Sequence, residues 1–433
     1  MTVDYQKLRI EGIYRQNEAG DLMQRVKLPA GVISVEQARK VCDIAEGYSN
    51  GRLHLTTRGS IEIHWLRPEH LPATQRMLAS VGLTSRGACG GAVRGISCSS
   101  SAGPGFSRVQ VLAARLQRHF TGNPHFEGLP KKFKLAVESG YAGSRHLIQD
   151  VALVAVGADE QGPLYDVWVA GGLGREPQEA ILYRAQVREA ELLSLIEAVV
   201  RTYRDLTPPP KRLKYLLAQL GEAAFREQVQ ARLPASVTLS LQDGVCKELL
   251  GSNTSIADRI EVPILAGELI CKQLRQLSLW AESHAEGYLL VSANQNLAFY
   301  PGSDQAAQEL RQLLTGTGFL GEEIWQRVPM RVCPGNHECR MGLAATRDVA
   351  AQLLATLGPA GQALDWAVSG CFNSCAQPQL AAAGVQAVAN RPDADGRRRP
   401  LFDFYRRTGT GLGQQVARNL SLEQLLQLTA ALG

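Results

Sequence analysis

Residues 26–83 and 262–320 carry the same order of sequence events, so this chain must build one kind of unit twice. In the first copy, VKLPAG leads into a predicted helix over 35–48, with Ser34 and Gln37 at capping-box spacing. Strands over 53–57 and 61–65 follow, and in the second Ile61, Ile63 and Trp65 alternate with Glu62 and His64. A further helix ends near Val81, where Gly82 is placed as a stop. The second copy retraces this course through IEVPILAGE, a helix over 274–285, YLLVSANQNLAFY and a helix around 305–314. Each copy reads as a small α/β sandwich.

A second pair of segments also matches. FKLAVESGYAGSRHLIQDVALVAV from Phe133 aligns with LDWAVSGCFNSCAQPQLAAAGVQAV from Leu364. After each come a strand and a glycine turn, YDVWVAGGLG from Tyr165 and FDFYRRTGTGLG from Phe402. The order is therefore A-B-A′-B′, with units over 1–83, 84–206, 207–320 and 321–433, an α+β chain of two pseudo-equivalent halves about a pseudo-two-fold axis. A length of 433 residues suits several cores rather than one. TPPPKRLK from Thr207 is the expected linker, because consecutive prolines exclude helix and sheet alike.

Only B′ has cysteines where the B copies correspond, since Tyr141 stands opposite Cys371 and Arg145 opposite Cys375. Cys333 and Cys339 enclose five residues, and Cys371 and Cys375 enclose three. Neither spacing is the C-x2-C knuckle of structural zinc, whereas two short pairs can supply the corners of one iron–sulfur cube. Zinc ligation and plain buried thiols are the alternatives. Gly335, Gly370 and Asn373 favour loops that approach a cluster closely. Cys42, Cys246 and Cys271 read as structural, and Cys89 and Cys98 are unassigned.

The nine cysteines accompany an amino terminus, MTVDYQKLRIEG, without the apolar stretch of a secretory signal, so metal ligation or free thiols are expected in a cytoplasmic protein. No apolar run approaches the roughly 18 residues of a membrane span. A net charge of +5 is too diffuse for a nucleic-acid partner. The turns at Gly172 to Gly174 and Gly411 to Gly413 lack the full dinucleotide fingerprint, so no nicotinamide or flavin is expected.

The run Cys333 to Cys339 followed by Gly370-Cys371-Phe372-Asn373-Ser374-Cys375 resembles the C-x5-C and G-C-x-N-x-C signature of the sulfite and nitrite reductase hemoprotein family. GACGGAVRGISC, LPKKFK and the duplicated units match in the same order, and the likeness is greatest to sulfite reductase hemoproteins. The resemblance implies ferredoxin-like α/β units alternating with siroheme and iron–sulfur α/β units. It also implies a 4Fe–4S cluster held by Cys333, Cys339, Cys371 and Cys375, with Cys375 also joined to siroheme. Phe372 departs from the proline of many relatives without removing a ligand. Asn373 and Arg86, with Lys131 beside them, are the other expected cofactor contacts.

An oxyanion held for reduction needs fixed cations on its oxygens and donors of protons. Arg58, Arg94, Lys132 and Lys134 match the four basic positions that the resemblance assigns to this task. The arginines offer rigid forks and the lysines offer protons. Lys134 stands where nitrite reductases resemble one another in having asparagine, so sulfite is the expected substrate and nitrite the runner-up. Electrons must come from an external ferredoxin or flavoprotein. A precorrin-3B synthase-like enzyme and a non-enzymatic iron–sulfur protein are the remaining alternatives.

Overall fold

The helix Val35–Tyr48 begins where Ser34 accepts from the Gln37 backbone and Gln37 returns a bond to Ser34, and it buries Val41, Cys42, Ile44 and Ala45. In the computed structural model, which describes residues 4–99, 106–235, 259–392 and 395–432, its counterpart is the helix Cys271–His284. That helix starts three residues before the expected 274, and Cys246 lies outside the described residues. The two helices share one core, and Arg275 bridges them through Asp43 at 2.8 Å and Glu46 at 2.6 Å.

The duplicated units are not closed individually. The strand Val32–Ser34 leaves the first copy to pair with Tyr288–Val291 in the second, and Glu268–Ile270 crosses back to pair with Arg52–Leu55. Each crossing strand follows the same left-handed turn, at Ala30 and Gly31 in one half and Ala266 and Gly267 in the other. A side chain on Gly31 would lie 2.7 Å from the Val291 carbonyl oxygen, and one on Gly267 would lie 2.6 Å from that of Leu55. The exchange buries one continuous apolar core across the pseudo-two-fold axis.

The B units repeat one topology. Ser97–Cys98, Leu135–Glu138 and Val151–Asp159 run parallel, followed by antiparallel Gly162–Val169 and Ile181–Arg188. Met330–Val332, Trp366–Ser369 and Ala383–Pro392 repeat the parallel set, followed by Arg398–Arg406 and Gln414–Leu420. The bulge between Ala155 and Gly157 recurs between Ala387 and Ala389, and Ser144 and Ser374 both have φ of 52°. Parallel neighbours carry their exits on the same sheet edge. The loops of Cys333 and Cys371 therefore leave side by side, after Val332 and Ser369.

The expected linker is firmer than its prolines suggest. The loop after Thr207 turns directly into the helix Leu213–Leu220, and both Arg212 and Lys214 are buried. Arg212 donates to Asp150 Oδ2 at 2.7 Å, inside the B unit. Among the described residues, no helix is long and apolar enough to cross a membrane.

Candidate active site

Two loops bring the four thiols of B′ together. The Gly370 N–H donates to Cys333 Sγ at 3.1 Å, and Asn373 Nδ2 donates to Cys371 Sγ at 3.6 Å. The backbone N–H of Gly335 also serves Cys333, that of Met341 serves Cys339, and that of Asn373 serves Cys371. Cys333, Cys339 and Cys371 each feel the charge of Cys375. Burial pushes all three thiols up, Cys339 to about 11, and repulsion from neighbouring thiolates adds to the rise. Such sulfurs ionise readily only against a cation of their own, which a metal group supplies.

The spacing selects the kind of group. Ligands on one tetrahedral zinc ion would place sulfurs about 3.8 Å apart. Among the described residues, the one set of three or more such ligand atoms within 4.8 Å of one another is His54, Glu62 and His64, so no three of these sulfurs approach that closely. A larger group with several metal corners suits the four thiols, and N–H donors onto sulfur are the usual means of tuning a cluster.

The His54, Glu62 and His64 set is a hydrogen-bond network. The Gln295 side-chain N–H2 donates to the Leu55 and Val332 carbonyls at 2.8 and 2.9 Å, and it lies 3.2 Å from His54 Nε2. A metal on His54 Nδ1 would require a proton on Nε2, facing that donor. With the proton on Nδ1 instead, His54 donates to Glu62 Oε2 at 3.2 Å. The Arg25 guanidinium holds Glu62 Oε1 from the other side at 2.5 and 2.8 Å. The alternation read in 61–65 thus has both faces covered, with Glu62 and His64 buried.

A glycine contact joins the thiol loops. A side chain on Gly335, at φ of 59°, would sit 2.4 Å from the Ala344 carbonyl oxygen, and one on Gly370 would sit 2.9 Å from Gly335 Cα. Gly335→Ala is therefore expected to destabilise the protein by about 2 to 4 kcal/mol. Denaturant melts would check the loss, and iron content measured beside them should fall with it.

The cations gather opposite Cys375. Lys132 and Lys134 lie either side of Phe133, whose ring is in the core, so strand alternation points both away from it. Burial pulls Lys132 down to about 8, with Arg212, Arg94 and Lys131 adding to the effect and Cys375 opposing it. Lys134 is held well below the ordinary lysine range by burial and by Lys132, Arg212 and Arg58, against the pull of Cys375. Arg58 donates to Gln149 Oε1 at 3.0 Å, to the Gly95 carbonyl at 2.7 Å and to the Leu135 carbonyl at 3.1 Å. Thr57, its neighbour, donates to the Cys375 carbonyl at 2.9 Å, so one loop grips both the cation cleft and the fourth thiol. Arg94 donates to the Ala88 carbonyl and, at 2.9 Å, to that of Gly90, while its buried Nε has no partner among the described residues.

Arg86 is already paired within the protein. Its Nε and one amino group donate to Glu127 at 2.9 and 2.7 Å, and the other amino group donates to Glu11 at 2.6 Å. Three of its five N–H groups are engaged by two protein carboxylates, and two remain for a further acceptor. Three buried residues near the cleft were not singled out from sequence. Asp150 accepts from the Lys134 backbone N–H and from Arg212, both at 2.7 Å. Lys27 donates to Thr121 Oγ1 at 2.7 Å, and burial, Arg94 and Arg58 together pull it down to about 7. Of the three, only Arg212 had a signal, in the basic run after the prolines.

A duplicated α+β scaffold that sets a four-thiol loop pair against a cation-lined cleft defines an iron–sulfur oxidoreductase. Residues 14–81 match the nitrite/sulfite reductase ferredoxin-like half domain, and residues 108–237 match the nitrite and sulphite reductase 4Fe-4S domain. The latter match falls on the B unit, which has Tyr141 and Arg145 where B′ has cysteines. Sulfite reductase (ferredoxin) 1 of Mycolicibacterium paratuberculosis is 29% identical over 439 residues, covering 94% of this chain and 76% of that protein. Ferredoxin–nitrite reductase of Synechococcus elongatus is 26% identical, over 89% of this chain and 80% of the relative. The solved NirA protein of Mycobacterium tuberculosis shares the fold, with a TM-score of 0.85 at 23% identity, over 99% of this chain and 86% of that one. Both domain models and these relatives make the chain similar to the nitrite and sulfite reductases, a likeness that supports a 4Fe–4S cluster and siroheme as its cofactors.

Proposed function

We propose that this protein reduces sulfite to sulfide with six electrons from an external donor, a ferredoxin being the donor that the relatives' names favour. The reading rests above all on one observation, that Lys132 and Lys134, either side of the core residue Phe133, both feel the charge of Cys375, with Arg94 acting on the first and Arg58 on the second. Cys333, Cys339, Cys371 and Cys375 would hold the cluster, and Cys375 would also meet the siroheme. When bound, the two groups supply the electrons and an iron at which the anion is reduced.

The chain's own residues bind the anion and move protons. Arg58 and Arg94, fixed by backbone carbonyls, present positive charge without paying for reorientation on each turnover. An oxyanion entering the cleft offsets the repulsion among the cations and favours the protonated form of Lys134. Each lysine then holds a proton at Nζ for an oxygen that leaves as water. Glu62 acts on Cys339 and Arg25 on Arg58, and the ion pair between the two keeps buried charge paired.

The relative named as a nitrite reductase supports a second reading, reduction of nitrite to ammonia. Turnover of the two anions by the reduced holoenzyme separates them. Sulfite is expected to have the higher kcat/KM, and exclusive turnover of nitrite would overturn the choice. Activity on sulfite should also decline as pH rises through about 8, where Lys132 loses its proton. A profile that stays level to about pH 9.5 would remove that lysine from the proton supply.

A further inference from the structure

The strand face that carries Lys132 and Lys134 continues through Ala136 to Glu138, since alternate residues share a face. Phe133, Leu135 and Val137 fill the core on the other side. Glu138 is 2% exposed, and among the described residues neither of its carboxyl oxygens has a hydrogen-bond partner. Buried polar atoms are nearly always paired, so a carboxyl with both oxygens unpaired calls for a reason.

The groups around it carry charge but do not bond it. Arg145 and Arg58 both act on Glu138, and the Cys98 thiol, paired with Val137 on the neighbouring strand, feels its charge. Arg58 is tied to the Leu135 carbonyl at 3.1 Å, and Arg145 to Asn294 Oδ1 at 2.9 Å. The same Arg58 acts on Lys134, so it lies electrically between the lysine pair and the carboxyl. A negative charge on Glu138 would cancel part of the field that Arg58 offers to an anion.

We propose that Glu138 couples proton uptake to anion binding, acting through Arg58 as a positioning residue that is neutral when the oxyanion is bound and gives up its proton when the cleft empties. The proposal rests on the reading of the cleft as an anion site. Burial holds the carboxyl up at about 7 against the opposing pull of Arg145 and Arg58, so both forms are populated in neutral solution. Linkage is reciprocal, and an anion that binds better to the neutral form must raise the proton affinity of Glu138 by the same factor. Each binding event then takes one fractional proton from solvent into a site whose reaction consumes protons. No electrons move in this step.

Nitrite, a monoanion throughout the neutral range, is the probe, added to the holoenzyme and followed by the visible spectrum. The wild-type Kd is expected to rise roughly tenfold between about pH 6 and about pH 8.5. Glu138→Gln should bind with a Kd that still rises with pH through the lysines but less steeply than the wild type, making it several-fold tighter at the upper end. A damaged fold would not tighten binding, and Glu138→Asp should restore the steeper pH dependence. Calorimetry in buffers of different ionisation heat should show less proton uptake with nitrite in Glu138→Gln than in the wild type, the difference being the share of Glu138. Equal pH dependence and equal uptake in both proteins overturn the proposal. Should Glu138→Gln fail to fold, absence of proton uptake by the wild type across that range overturns it as well. If nitrite binds neither protein at any pH, the anion-site reading fails and this proposal falls with it.

Discussion

Cys375→Ser is expected to yield a folded protein that has lost its cluster and most of its visible spectrum. The fold should survive because the Cys375 side chain is exposed and contributes no apolar core, while the turn around it is built from the backbone. Ser374 supplies the left-handed residue, Ala376 N–H donates to Ser369 Oγ at 3.1 Å, and Thr57 holds the Cys375 carbonyl at 2.9 Å. Serine keeps all of these bonds and removes one sulfur. The three thiols that remain carry the repulsion and burial described above without the fourth corner that closes the cage.

Iron and acid-labile sulfide, assayed after anaerobic purification, should drop to a small fraction of the wild-type content, and sulfite turnover should fall below detection. Cys42→Ser is the control. Cys42 is buried between the halves, within 3.7 Å of the Cys271 carbonyl and away from the cleft. It should lower stability by about 1 kcal/mol and leave iron content alone. A Cys375→Ser protein with full iron, sulfide and turnover would remove that thiol from the site.

Lys134→Asn is expected to lower kcat for sulfite by about 10²- to 10⁴-fold, the range for loss of a positioned proton donor. The substitution should leave the strand in place, since Asp150 binds the Lys134 backbone and not its ammonium. Burial, Arg212, Arg94 and Lys131 lower Lys132, so the decline near pH 8 should stay in place in this variant. Nitrite has fewer oxygens to protonate, and its turnover should suffer less, so the ratio of nitrite to sulfite turnover should rise. Steady-state kinetics on both anions with one electron donor would check this. Unchanged kinetics on both would show that Lys134 serves the strand and not the anion.

Much of this was legible in the chain because it depends on local pattern. The capping box at Ser34 and Gln37, the two thiol spacings and the alternation around Phe133 are each written within a few residues. The duplication was legible too, because two copies of one order of elements need no knowledge of their packing. The exchange of Val32–Ser34 and Glu268–Ile270 between the copies was not, since a short strand pairs equally well with either copy until both are folded.

The residues missed share a cause. Glu138 ends an apolar strand and Lys27 ends the strand Leu22–Lys27, and nothing in their neighbours distinguishes them from solvated charges, while Arg212 showed only as part of the basic run after the prolines. Arg86 could be read from sequence as a cation, but its partners Glu11 and Glu127, 75 and 41 residues away, could not.

The sequence by itself determined which residues could do chemistry here, since thiol spacing and the basic motifs are properties of a linear order. Only the tertiary structure decided which charges share one cleft, because the strength of an electrostatic interaction depends on separation in space and on burial, and neither is encoded in any short stretch of chain.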